Sequence, residues 1–181
     1  MVRKLRNIEL NRLTVDEFKS SVKSPVVVVL DGVRSMANVG SIFRTCDAFN
    51  VEHLYLTGIS PQPPHREITK TAIGAELAVE WSYDKNIMNV IGDLRSRGFQ
   101  IIAIEQTSES TLLSDWEPDT DDKIAIVFGH EIDGVSDEVI SLCDACIEIP
   151  QFGTKHSINV SVCTGVVLWQ AGLNRLKGKR E

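Results

Sequence analysis

The chain predicts an α/β protein, a mostly parallel sheet with helices on both faces. Three observations lead there. Short β-branched runs alternate with helical periodicities along all 181 residues, the pattern of strand–helix–strand units. The first run, Val26-Val27-Val28-Val29-Leu30, has no polar alternate, as in strands covered on both faces. Glycine-bearing or polar corners then follow the apolar runs, at the edge where open α/β sheets bind ligands.

Taken in order, residues 3–23 read as an amphipathic helical extension ending near Ser24-Pro25. The strand Val26 to Leu30 and the loop Asp31-Gly32-Val33-Arg34-Ser35 come next. Asn38 to Phe49 is helical, with Val39, Ile42, Phe43 and Cys46 three and four apart. Glu52 to Thr57 is a strand, and the proline-rich loop Ser60-Pro61-Gln62-Pro63-Pro64 excludes regular structure. A short helix spans Glu67 to Ala72 and a strand spans Ala78 to Tyr83. Asp84 caps a helix to Arg97, and Gly98 ends it. Phe99 to Glu105 is a strand, followed by the polar loop Gln106 to Ser110. Lys123 to Phe128 is a strand, Ser136 caps a short helix through Leu142, and Ala145 to Ile149 is the last strand. The last helix runs from Ser157 to Leu176.

The length suits one domain with a substantial core. The apolar fraction of 43% and charged fraction of 24% are ordinary for a soluble globule. No run approaches a membrane span. The basic start Met1-Val2-Arg3-Lys4-Leu5-Arg6 has no apolar stretch behind it, so no signal peptide is read and a cytoplasmic location is expected.

Net charge is −6, which by itself argues against a nucleic-acid partner. Its distribution argues the other way. Residues 1–23 carry Arg3, Lys4, Arg6, Arg12, Lys19 and Lys23 against Glu9, Asp16 and Glu17. Residues 174–181 carry Arg175, Lys177, Lys179 and Arg180 against Glu181. Basic ends on an acidic body serve either as solubilising ends or as an electrostatic footprint for RNA.

Of the four cysteines, Cys46, Cys143, Cys146 and Cys163, three sit in apolar or helical context and read as small core residues. Cys143-x-x-Cys146 has neither a second pair nor a histidine at ligand spacing, so no metal is expected. Phosphate-loop, dinucleotide-binding and serine-hydrolase signatures are absent.

Three constellations carry chemistry. In Asn38-Val39-Gly40-Ser41-Ile42-Phe43-Arg44, helix capping alone explains Asn38, but Arg44 lies in an otherwise apolar stretch. It sits either on a solvated face or as a fixed cation near a phosphate or developing anion. In Gly129-His130-Glu131, glycine after a buried strand permits close backbone approach. Glu131 is either a partner for Arg44 or an exposed loop acid, and His130 reads as a turn residue. Ser157-Ile158-Asn159 opens the last helix, where Ser157 caps or free N–H groups meet a ligand.

Together, Asn38-x-Gly40-x-x-x-Arg44, then Gly129-x-Glu131-x-x-Gly134-Val135, then Ile149-Pro150-x-x-Gly153 with Ser157-Ile158-Asn159-Val160-Ser161-Val162, resemble the three motifs of the SpoU (TrmH-like) RNA ribose methyltransferases of the SPOUT superfamily. They occur in the family's order, and the resemblance runs from about residue 25 to residue 173. Ile158 departs mildly from the commoner leucine. The resemblance implies transfer of the methyl of S-adenosyl-L-methionine to a ribose 2′-hydroxyl of tRNA or rRNA. It implies a C-terminal trefoil knot, an exception to the unknotted rule, and a homodimer with the site at the subunit interface. It places Arg44, Asn38, Glu131, Ser157 and Asn159 at catalytic positions and Gly129, Ile149 and Ile158 in the cofactor pocket, with Thr107 a weaker addition. The domain plan that follows is a basic extension over 1–24, a methyltransferase domain over 25–176 and a basic tail over 177–181. The alternative is a non-catalytic RNA-binding or assembly protein of the same fold. Larger relatives add an N-terminal RNA-binding domain, where this sequence shows only the short basic segment.

Overall fold

The computed structural model describes residues 2–177. Seven strands form one sheet in the order β3-β2-β1-β6-β4-β7-β5, and every recorded pairing is parallel. They are β1 Ser24–Asp31, β2 Val51–Thr57, β3 Trp81–Asp84, β4 Gln100–Ile104, β5 Thr111–Leu112, β6 Ile124–Phe128 and β7 Ala145–Glu148. The helices are α1 Val15–Ser20, α2 Met36–Ala48, α3 Arg66–Ala72, α4 Ala75–Ala78, α5 Ile87–Ser96, α6 Asp137–Ile140 and α7 Val160–Lys177.

The unbroken apolar runs are explained by two cores. From β1, Val26, Val28 and Leu30 pack on one face with Ile42 and Phe43 of α2 and Leu168 of α7. Val27 and Val29 pack on the other with Ile91 and Leu94 of α5 and Val139 of α6. Successive side chains of a strand point to opposite faces, so a strand covered on both sides needs apolar residues at every position. The same holds for β6, whose five residues are all buried.

Several expectations shift. The N-terminal extension is not one helix. A 3-10 turn at Asn7–Leu10 ends at Asn11 in the left-handed region (φ 46). A separate six-residue α1 starts with a capping box between Thr14 and Glu17. The strand expected from Ala78 begins at Trp81, because Gly74 (φ 89) opens the short α4 first. Asn86, not Asp84, caps α5: its Oδ1 accepts from the Met88 N–H at 3.0 Å, while Asp84 accepts from the Asn86 N–H. Ser136 makes no side-chain cap. Its N–H and hydroxyl both donate to Asp31 Oδ2, at 3.1 and 3.0 Å. The two-residue β5, paired with β7, is too short to leave a periodic signal. Of the basic tail expected over 177–181, all but Lys177 lies outside the described residues.

Chain order across the sheet reverses beside β1. From there the chain builds outward to β2 and β3, crosses to β4, and returns to place β6 between β1 and β4. The loops after β1, β4, β6 and β7 are thereby gathered at one sheet edge, the position at which doubly wound sheets bind ligands.

Candidate active site

At that edge lies a cleft of about 430 Å³, within the range of small-molecule sites. The loop after β4 contributes Glu105 and Gln106, the turn after β6 contributes Gly129 to Gly134, and the end of β7 contributes Ile147, Glu148 and Ile149. The segment entering α7 closes it with Ser157, Ile158 and Asn159.

The β6 turn is held by its own backbone. His130 and Gly134 exchange N–H···O bonds of 3.0 Å each way. A Cβ on Gly129 would lie 2.0 Å from the Gly134 carbonyl carbon and 2.1 Å from the Val135 nitrogen, so only glycine fits. His130 Nδ1 accepts from the N–H groups of Ile132 (3.2 Å) and Asp133 (3.3 Å). The same nitrogen lies 3.1 Å from the Asp133 carboxylate.

Glu131 reaches out of this turn to the loop after β1. Its Oε2 accepts from the Arg34 N–H, and its Oε1 accepts from the Ser35 N–H and the Asn38 side-chain amide, each at 2.9 Å. Partial burial alone would raise this carboxyl. The donations from Arg34, Ser35 and Asn38 together outweigh burial and hold it below the ordinary carboxylate value. Asn38 passes the chain on, its Oδ1 accepting from Asn159 Nδ2 at 3.0 Å. Asn159 Oδ1 in turn accepts from the Ser161 N–H at 2.9 Å and from its hydroxyl at 2.6 Å. Asn159, rather than Ser157, thus stands at the start of α7, which begins at Val160.

Glu131, Asn38 and Asn159 therefore meet in one network, and Glu131, Ser157, Asn159, Gly129, Ile149 and Ile158 all line the cleft. Thr107 lies one residue beyond the lining residue Gln106, in a turn with Ser110. Arg44 is elsewhere. It is exposed on α2 and lines a separate open groove with Val162, Val166 and Trp169 of α7. It follows Asn38 by six residues, about 9 Å along the helix axis. Within the chain Glu131 is not its partner, because both carboxylate oxygens are taken by the β1–α2 loop and Asn38.

Sequence reasoning passed over Glu105, Gln106 and Cys163, which also line the cleft. Glu105 was findable as the polar residue closing a buried strand at the carboxyl edge. Burial and the nearby Glu105 charge push the Cys163 thiol up to about 12, so it is no thiolate nucleophile. Among the described residues no cluster of His, Cys, Asp and Glu could hold a metal ion. No described helix is long and apolar enough to cross a membrane.

An all-parallel sheet with a ligand-sized cleft at its carboxyl edge, walled by three strand-end loops and a helix start, defines an open α/β protein with a built small-molecule site. Comparison with known proteins gives the particular family. The model of the SpoU rRNA Methylase family matches residues 25–169, and the chain belongs to that family. It is 33% identical over 156 residues to the tRNA (guanosine(18)-2′-O)-methyltransferase of Aquifex aeolicus (strain VF5), covering 83% of this chain and 70% of the relative. It is 30% identical over 161 residues to a 23S rRNA (guanosine-2′-O-)-methyltransferase of Neisseria meningitidis serogroup B, covering 89% of this chain and 63% of the relative. The chain thus spans about two thirds of the length of these curated relatives. Among solved structures, the AdoMet-bound rRNA methyltransferase of Sinorhizobium meliloti superposes with a TM-score of 0.76 at 26% identity, covering 88% of this chain and 59% of that one.

Proposed function

We propose that this chain transfers the methyl group of S-adenosyl-L-methionine to a ribose 2′-hydroxyl of tRNA or rRNA, as a homodimer with the site at the subunit interface. The observation that carries the reading is the meeting of three separated motifs at one cleft, through the Glu131–Asn38–Asn159 network. Membership of the family and the tRNA and rRNA methyltransferases among its relatives support it. The trefoil knot expected of the family belongs to the same reading. No observation favours the non-catalytic alternative.

The cleft fits the cofactor in size and chemistry. Ile149 and Ile158 offer apolar surface to an aromatic base, and Glu105 and Glu148 give the lining the acidic character a cationic ligand needs. Gly129, Ile149 and Ile158 would hold the adenosine part, and Ser157 and Asn159 the ribose or the cofactor's tail. When bound, S-adenosyl-L-methionine supplies an electrophilic methyl on a sulfonium.

The chain's own residues must then align the hydroxyl and ease loss of its proton. Alignment alone contributes roughly 7–11 kcal/mol in favourable cases. A guanidinium is a permanent cation, so Arg44 acts as a charge and not as a base. It anchors the phosphate next to the target ribose and lowers the hydroxyl's pKa electrostatically. Within one chain it stands outside the cleft. Val162, Val166 and Trp169 beside it are 56%, 41% and 53% exposed, an apolar face that a second copy would cover. Such a pairing presents Arg44 to the partner's cleft. The basic N-terminal segment adds a modest phosphate footprint, with Arg3 and Arg6 already paired to Glu9.

The test is methyl incorporation from labelled cofactor into total tRNA and rRNA, with calorimetry against S-adenosylhomocysteine. Wild type incorporates methyl groups at ribose. Arg44→Ala loses most turnover and still binds S-adenosylhomocysteine. A wild-type chain that neither binds nor incorporates refutes the reading, and unchanged turnover in Arg44→Ala refutes the role of Arg44.

A further inference from the structure

We propose that Glu105 is the residue by which the cleft selects a positively charged methyl donor over its neutral product, an inference that rests on the methyltransferase reading above. Glu105 directly follows the last residue of β4 and lines the cleft. Its Oε2 accepts from the Val135 N–H at 3.0 Å and its Oε1 from the Gln106 N–H at 2.9 Å. Both donors are main-chain groups, so the carboxylate cannot swing away without leaving them unmet. The opposite turn is shaped around it. Gly134 has φ +71, and a Cβ there would lie 2.1 Å from Glu105 Oε2. The charge is therefore fixed in place, and it also ties the β4 loop to the β6 turn.

Among the described residues no lysine or arginine side chain lines this cleft to neutralise it. Glu131, the other carboxylate held by main-chain donors, is turned toward the β1–α2 loop and spends its acceptors there. Glu105 is the cleft-lining carboxylate that main-chain donors hold at the β4 end, with Glu148 a second acid in the same lining. In a partly desolvated cleft such a charge acts at a lower effective dielectric than in water. Methyl transfer moves the methyl to the 2′-oxygen, releases the hydroxyl proton, and leaves sulfur with the electron pair of the broken S–C bond. The sulfonium becomes a thioether, and one unit of positive charge disappears from the ligand. A fixed anion holds the ligand before this step more tightly than after it, which favours exchange of product for fresh donor. Because the attraction is greater in the ground state than in the transition state, it acts on KM and does not raise kcat.

Calorimetry on the full chain, with S-adenosylmethionine and S-adenosylhomocysteine as separate probes, tests this. Glu105→Gln should weaken S-adenosylmethionine by about tenfold and S-adenosylhomocysteine by less than about threefold. In the RNA assay it should raise the KM for the donor without lowering kcat. Glu105→Asp keeps the charge but is one methylene short of Val135, so both ligands should weaken together with their affinity ratio kept. A ratio unchanged in Glu105→Gln overturns the inference and leaves the methyltransferase reading standing. Wild type that binds neither probe overturns that reading instead. If Glu105→Gln fails to fold in a thermal-shift assay, wild type in rising salt decides. The gap between the two probes must narrow as charge is screened, and a gap indifferent to salt overturns the inference.

Discussion

Asn159 donates its side-chain amide to the Oδ1 of Asn38 at 3.0 Å, across 121 positions of sequence. The polarity of that bond is set from one end. The Glu131 carboxylate only accepts, so Asn38 must turn its Nδ2 toward it. That leaves Asn38 Oδ1 to accept, which turns Asn159 Nδ2 inward and its Oδ1 toward the Ser161 N–H at the start of α7. One ionised carboxylate thereby fixes the orientation of two amides and the entry of a helix.

Removing that carboxylate should be felt at neutral pH and fade in acid. The folded-state pKa of Glu131 lies below its unfolded value. Its contribution to stability is therefore present above the unfolded pKa, about 4.3, and is lost as pH falls through the lower folded value. Glu131→Gln should cost about 1–2 kcal/mol at pH 7, a modest figure because the side chain is partly solvated. The difference should shrink below about pH 4. Urea midpoints of both proteins between pH 7 and pH 3 check this, and a difference constant over that range would contradict it.

Gly129→Ala should be damaging out of proportion to one methyl group. The added carbon meets backbone on the far side of the turn at 2.0 to 2.3 Å, and backbone held by the His130–Gly134 pair cannot yield cheaply. A loss of about 1–3 kcal/mol is expected from overpacking, together with loss of S-adenosylhomocysteine binding. Thermal unfolding and calorimetry on the same preparation measure both.

The place of Arg44 leads to a mixing experiment. Arg44→Ala and Asn159→Ala should each be nearly inactive alone. If Arg44 serves the partner's cleft, subunits exchanged between the two variants restore one intact site in each mixed dimer. Activity of about a quarter of wild type follows from random pairing in equal amounts. No recovery after verified exchange would assign Arg44 to its own subunit's cleft.

Trp169→Glu should separate the copies without unfolding the chain. The indole is about half exposed, so the change costs the single subunit little, within about 0.5–1 kcal/mol. If a second copy covers this face, a charge there should shift sedimentation from dimer to monomer and abolish methyl transfer. A dimer that survives the change would place the subunit contact elsewhere.

Much of this was legible in the chain. The all-apolar run Val26 to Leu30 announced a strand covered on both sides, and Val27 and Val29 do face a second core. The three motifs mark loops that reach one cleft or the helix behind it. What could not be read was who holds whom. Glu131 and Arg34 are 97 positions apart, and no spacing rule links a carboxylate to main-chain N–H groups at that distance. Capping was misread for a related reason. Ser157, Asp84 and Ser136 are all good capping types, but in each case a neighbour or a remote partner took the role or the side chain. Glu105 was missed because a lone acid after a strand looks like an ordinary loop residue until Gly134 is seen making room for it.

The position of β6 has a consequence for how the molecule is made. It joins β1 along Val26 to Leu30 and β4 along Gln100 to Ile104. As the chain leaves the ribosome, β1 is born early with one flank unclaimed, and the strand that fills the gap is the sixth of seven to be synthesised. Until residues 124–128 emerge, β1 has one open flank and β4 has neither of its partners, the condition under which sheets pair with strangers. Translation speed through the stretch between residues 105 and 124, and access of a holding chaperone during it, should therefore influence yield.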